Sequence, residues 1–338
     1  MLFYNAPMKR CICLIALILV FGQFLSASDT AKQQEAITRL EQAVSKTNIF
    51  ELPSFAMKAN VQIEDHGKLV NGTYELLWNG PDQWREGISL PGYTEVQTGG
   101  KGTVWVQRST DFIPVPIYYL RQALGFGSSV GSPQRMLLVQ LPLTPRDTIK
   151  KTKERKEHGD KLTCFEIESE QKHSSEICVN DSSNTIARDS SDSNLQPVGG
   201  KVFPRLLTLH HADKVVAKVN VVELASPAQF PPDTFTPPTG VSPQAGCMNP
   251  LLPHLVKAQT PEYPAIARQQ HHQGTVSFDV LIGKDGAPRF RKLLESAGPD
   301  LDDSSQRALS QWRYDPAMCN GQPVEFETVL QLIYALSY

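Results

Sequence analysis

The chain has 338 residues, 40% of them hydrophobic and 20% charged, with 33 basic against 35 acidic side chains and a formal net charge of −2. That length suggests two domains, and that apolar share is enough to build their cores. The near-neutral balance excludes a global electrostatic drive toward nucleic acid.

The N-terminus reads as an export signal. Lys9 and Arg10 precede residues 11–25, an apolar run broken only by Gly22 and Gln23, and the small residues Ser26, Ala27 and Ser28 follow. A spanning helix needs about 20 apolar residues, so the run is short for a permanent anchor. Cleavage after Ala27 or Ser28 is favoured; an anchor through residues 11–28 stays open. Cys11 and Cys13 stand at the start of the run, whereas a lipoprotein cysteine would stand at its end, so lipidation is not expected.

Residues 29–225 read as one β-rich domain. It begins with a helix over about 30–50, where Ala36, Ile37, Leu40, Ala43 and Val44 repeat at helical spacing. Period-two alternation then takes over, from Phe55 through Val61 and Ile63, and again up to Trp78. Strands are predicted at about 84–90, 93–97, 103–107, 135–141, 162–168, 175–179, 202–210 and 214–223, separated by Gly, Asn and Pro turns. A helix is predicted over about 118–124. The pattern is that of an antiparallel meander: a single sheet or half-barrel with a helix or two. Trp78, Trp84 and Trp105 are expected to fill its core. The basic run at residues 150–156 reads as a solvated loop, with a membrane-surface patch as the lesser reading.

Residues 226–245 carry six prolines, which forbid a helix or a central strand. They read as an extended linker able to span about 50–60 Å. The second domain, 246–338, follows. Pro264 suits the first turn of a short helix. Val276, Phe278, Val280 and Ile282 share one face of a strand, residues 283–286 turn, and a second strand returns over about 289–295. A helix over about 301–312 is expected to be capped by Asp300. A last strand over about 324–334 points Phe326, Thr328, Leu330, Leu332 and Tyr334 one way and Glu325, Glu327, Val329 and Gln331 the other. The fold class is therefore α+β, ending in two helices on one face of a three-stranded antiparallel sheet.

After export four cysteines remain, Cys164, Cys178, Cys247 and Cys319. An even number in an oxidising compartment favours disulfides. Four cysteines allow three pairings. Cys164 and Cys178 lie in two predicted strands joined by a polar stretch and suit a cross-strand bridge. Cys247 and Cys319 would then pair in the C-terminal domain. A zinc site is the rival reading, without CxxC or His-x-His spacing to support it.

Residues 255–338 resemble the TonB C-terminal domain family. The elements that carry the resemblance are Pro261-x-Tyr263-Pro264, Gly274-x-Val276, Asp285-Gly286, the helix ending at Trp312, Trp312-Arg-Tyr-x-Pro-Ala317 and Gly321-x-Pro-Val324. The resemblance implies a periplasmic module that docks short segments of outer-membrane transporters, or of another envelope protein, by adding a strand to its sheet. The residues it points to are Thr260, Pro261, Glu262 and Tyr263 before the first helix, and Val329, Gln331 and Ile333 in the last strand. Unpaired N–H and C=O groups of an edge strand suit that role. Tyr263, Pro264 and Trp312 read at least as well as core and corner residues. A shorter linker and a folded domain in place of a long spacer depart from an energy transducer.

The 50–225 region more weakly resembles periplasmic lipoprotein carriers of the LolA and LolB type, through the Gly72–Trp78 strand, Gly80-Pro-Asp-Gln-Trp84 and Gly102-Thr-Val-Trp105. That resemblance implies a lipid contact and an alternative function, a lipid or lipoprotein carrier with the C-terminal domain as its docking arm. A large apolar cavity would favour it and a filled core would sink it.

No GxSxG, Walker A, HExxH or strand-led GxGxxG motif is present, so the chain is not expected to be an enzyme or to use a cofactor, a metal or a small-molecule substrate. His271-His272 and His210-His211 are adjacent pairs whose side chains diverge on either a helix or a strand, and both read as surface residues.

Overall fold

The computed structural model describes residues 27–124, 148–157, 159–168, 174–187, 193–211, 214–245 and 251–336. Among these, no helix is long and apolar enough to cross a membrane. The export run (residues 1–26) and the strand predicted at 135–141 lie outside the described residues.

Most of the N-terminal domain is one antiparallel sheet. Its strands are β1 (Phe55–Asp65), β2 (Lys68–Trp78), β3 (Trp84–Leu90), β4 (Tyr93–Gly100) and β5 (Thr103–Arg108). The order across the sheet is β10-β11-β12-β1-β2-β3-β4-β5-β13, with β10 (Ser193–Val198), β11 (Lys201–His211), β12 (Lys214–Ala225) and β13 (Gln244–Ala245). Period-two alternation sets the inner face: Phe55, Met57, Ala59, Val61 and Ile63 of β1 are buried while Lys58, Asn60 and Gln62 are exposed. Tyr74, Leu76 and Trp78 of β2 and Trp84, Ile88 and Leu90 of β3 extend that row. A Cβ at Gly99 would come within 2.1 Å of the Trp84 ring, so glycine is what lets the indole lie against β4.

α2 (Val115–Ala123) packs on β1, β11 and β12 and fills the concave side with Ile117, Leu120 and Ala123, followed by Leu124. It begins three residues before the predicted start. Pro116 stands in its first turn, where a missing N–H costs nothing. Trp78 and Trp84 are fully buried; Trp105 is only half-buried.

A second layer consists of α1 (Ala27–Thr47) and a four-stranded antiparallel sheet in sequential order: β6 (Thr148–Glu157), β7 (Asp160–Glu168), β8 (Ser174–Asn180) and β9 (Thr185–Ala187). Leu40 and Ala43 pack with Phe165, Ile167 and Val179. Cys164 and Cys178 face each other across β7 and β8 and are disulfide-bonded. The basic run at 150–156 is not a loop: it is β6, paired along its length with β7. Lys150 meets Glu168 at 2.9 Å and Arg155 meets Glu176 at 2.6 Å. Acidic neighbours hold an exposed strand whose sequence has no apolar alternation to reveal it.

Residues 226–243 run without helix or strand, as their prolines require, yet both ends of the 226–245 segment are tied to the half-barrel. Ser226 Oγ donates to the Ser54 carbonyl (2.7 Å) and Ser54 Oγ to that of Ala228 (2.8 Å). At the far end β13 pairs with β5. The segment passes along the first domain rather than spanning open space.

In the C-terminal domain, β14 (His254–Lys257) pairs with β17 (Arg313–Asp315), and β18 (Ala317–Cys319) with β19 (Gln322–Val324). The main sheet has the order β16-β15-β20: β15 (Gly274–Ile282), β16 (Pro288–Glu295) and β20 (Phe326–Tyr334). α3 (Ala265–Gln269) and α4 (Pro299–Ser310) contribute Ala267, Leu301 and Leu309 to the core lined by Val276, Phe278, Val280, Ile282 and Phe326. The cap of α4 is Gly298, not Asp300, because Pro299 takes the first helical position. Asp302 instead accepts the Ala297 N–H at 3.0 Å. Cys319 is disulfide-bonded; Cys247, its predicted partner, lies outside the described residues.

Candidate functional site

Alternation along β15 and β20 gives their sheet a second face, formed by Ser277, Asp279, Glu327, Val329 and Gln331, opposite the helices. This face is covered by the first domain. Val329 is buried as part of the half-barrel's own apolar cluster, and Leu294 packs against that cluster. Arg108, the last residue of β5, makes a two-pronged bond to Glu327, with Nη1 at 3.0 Å and Nη2 at 2.9 Å. Arg291 also donates to Glu327 and reaches the Asp111 carbonyl. Gln331 Nε2 donates to Tyr119 Oη of α2 (3.3 Å) and to Ser277 Oγ (3.0 Å). Lys292 Nζ lies 3.6 Å from the Phe112 ring centroid.

These contacts continue a chain of charges that starts inside the half-barrel. Glu86 and Glu95 sit in the inward rows of β3 and β4 and are buried, as is Arg121 of α2 between them. Arg121 donates to Glu95 and lies 3.8 Å from Glu86. Arg108 Nε lies 3.7 Å from Glu95. The order Glu86, Arg121, Glu95, Arg108, Glu327, Arg291, Asp279 alternates in sign and crosses from one domain to the other.

Burial pushes the Glu86 carboxyl up to about 7, with Glu95 adding to the rise; Arg121 and the Tyr74 hydroxyl only partly oppose it. Burial acts the same way on Glu95. There Arg121, the Tyr93 hydroxyl, Arg108 and Gln97 outweigh it and hold the group below its usual range. Burial also raises Asp279, to about 6, helped by Glu327 and Asp111 and opposed by Arg291 and Arg108. Asp279 is fully buried, and among the described residues neither of its carboxylate oxygens accepts a hydrogen bond; Arg291 Nε stands 3.6 Å away.

The residues expected to bind a partner fall in two separate places. Thr260 and Glu262 are exposed and Pro261 and Tyr263 half-buried, in an irregular stretch ahead of α3. Ser304 Oγ donates to the Glu262 carbonyl (2.5 Å), and the Tyr263 hydroxyl donates to that of His272. The Tyr263 ring meets Tyr334 edge-on at 5.3 Å. Trp312 packs on the same core and donates through Nε1 to the Gln259 carbonyl (2.9 Å). Along β20, Val329 and Gln331 face the half-barrel while Ile333 is 58% exposed. β20 pairs with β15 on one side, and among the described residues no strand pairs with its other side.

Residues 259–336 match the family described as Gram-negative bacterial TonB protein C-terminal. The C-terminal domain is therefore TonB-like. The chain is also 38% identical over 92 residues to protein TonB of Vibrio cholerae, a stretch that is 26% of this chain and 37% of that protein. The match thus spans well under half of that relative's length. Two solved structures align with much of the chain. One, a LolA superfamily protein from Nitrosomonas europaea, has 14% identity and a TM-score of 0.36, covering 60% of this chain and 97% of that one. The other, a putative outer membrane lipoprotein-sorting protein domain from Vibrio parahaemolyticus, has 9% identity and a TM-score of 0.38, covering 61% and 97%. The half-barrel is defined by its strand order and its inward apolar rows.

Proposed function

We propose that this is an envelope protein that captures an extended segment of an outer-membrane transporter, or of another envelope protein, along the outer edge of β20 in its TonB-like domain. It works by binding, without a catalytic step, and resides in the periplasm. The observation that carries the reading is the open side of β20 in a domain whose sequence matches the TonB C-terminal family. An edge strand offers backbone donors and acceptors that an incoming strand can satisfy, and side-chain pockets then add selectivity. Ile333, exposed on that strand, is its most accessible large apolar contact.

The carrier alternative needs an apolar chamber, and the concave side of the half-barrel is occupied. Phe55, Trp78, Trp84, Ile117 and Leu120 are all buried there together, and Arg121 is buried among carboxylates at its centre. That filling weighs against lipid transport.

The test is capture from envelope extracts with the full-length chain as bait and Ile333→Asp as comparison. Capture of a transporter by the wild-type chain, lost in the variant, supports the reading. Equal capture by both removes β20 from the binding site.

A further inference from the structure

The contact between the domains is built unlike the cores on either side of it. Those cores are mostly apolar, with the Glu86–Arg121–Glu95 group as the charged exception, whereas the contact rests on Arg108, Glu327, Arg291, Asp279, Gln331 and Tyr119, with Val329 as its apolar centre. Charged groups regain water when such a surface parts, so an ionic contact separates at less cost than an apolar core of equal area. Asp279 tilts the balance further. It is a buried carboxylate with no donor on either oxygen among the described residues, facing Glu327 of β20, Arg291 of β16, Arg108 of β5 and Asp111 of the loop that follows.

The covered face is also the one that a captured strand has to share. Neighbouring strands lie about 4.8 Å apart, so every second side chain of an added strand would stand beside Val329 or Gln331. α2 already packs on β20 at that side and holds Gln331 through Tyr119.

We propose that the half-barrel is a cover for the partner-binding strand: docking of α2 and β5 on the sheet competes with strand addition at β20, and the Arg108–Glu327 pair is the lock. The inference rests on the reading of β20 as the capture strand and assigns the first domain a regulatory role. Because one surface takes either occupant, whatever favours the open arrangement raises partner affinity, and a bound partner in turn favours opening.

The test uses the full-length chain and Glu327→Gln, with Arg291→Gln as an independent second variant. Amide hydrogen exchange is read first, with no partner present. The expected result is at least tenfold faster exchange in β20 and α2, with β1 and β2 unchanged as the control for an intact half-barrel. Binding is read second, by fluorescence anisotropy, with a synthetic extended decapeptide from the periplasmic end of an outer-membrane transporter. The expected result is at least fivefold tighter binding by both variants. Unchanged exchange in both overturns the lock, whatever binding does. Faster exchange with unchanged or weaker binding overturns the competition and makes the half-barrel a positioning support instead. Faster exchange with no peptide bound even by the wild-type chain overturns the capture-strand reading and the competition with it, while the lock stands.

Discussion

Glu86 shows how far single residues can be read from the sequence. It lies in register with Trp84, Ile88 and Leu90, all inward, so alternation alone places a carboxylate in the core. What alternation cannot give is its partner, because Arg121 arrives from a helix 35 positions further on. Glu86 and Asp279 have raised folded-state values, about 7 and about 6. The folded protein therefore keeps protons that the unfolded chain has released, and stability is lost as pH rises from about 4 through 6 and 7. Glu95, held low, contributes in the opposite sense and loses its share as pH falls toward its folded value. Unfolding free energy is thus expected to be greatest near pH 5 and to decline toward pH 8, with Glu86 supplying about 3 kcal/mol of the decline at most. Urea denaturation at several pH values checks this. Glu86→Gln should flatten the decline above pH 5, and an unchanged slope would remove Glu86 as its source. At Gly99 a methyl group would strike the Trp84 ring. Gly99→Ala should lower stability by about 1–3 kcal/mol, and a thermal midpoint equal to wild type would show that the indole has room to move.

At the scale of elements, the strands with one apolar row were legible and those held by charge were not. β1, β2 and β15 announce themselves through alternation. β6 does not, since both of its faces are polar and its support comes from ion pairs involving Glu154 of its own, Glu166 and Glu168 of β7 and Glu176 of β8. α2 and α4 start ahead of the predicted positions 118 and 301 because Pro116 and Pro299 each take a place in the first turn. The Cys164–Cys178 bridge closes a loop of 14 residues, and removing it with a double serine substitution should cost about 3 kcal/mol. Because α1 packs on that sheet, the loss should appear as faster amide exchange in α1, β7 and β8, with β1 and β2 little affected. A loss spread evenly over both sheets would mean that they unfold as one unit. The two faces of β20 were also legible, but their meaning was only half so. Val329, the apolar residue in a row with Glu327 and Gln331, was the signal that this face has a covering, and nothing in the chain named the half-barrel as what covers it.

Across the whole molecule, the proline-rich stretch lies between β12 and the TonB-like domain, and its composition explains the absence of helix or strand between Ser226 and Pro243. Its path was not readable. Hydrogen bonds to Ser54 at one end and pairing with β5 at the other require the folded first domain, so only the assembled structure shows that the two domains meet. Their meeting places β20 against α2, and the proposed binding depends on the side of β20 that stays open. The most direct measurement is photo-crosslinking in cells, with a benzophenone side chain at position 333 of the full-length chain and, in parallel, at the exposed position 284. Mass spectrometry of the adduct would identify the segment held. The account predicts an adduct at position 333 to an extended segment of an outer-membrane or other envelope protein, absent at position 284. Adducts at 284 with none at 333 would contradict it.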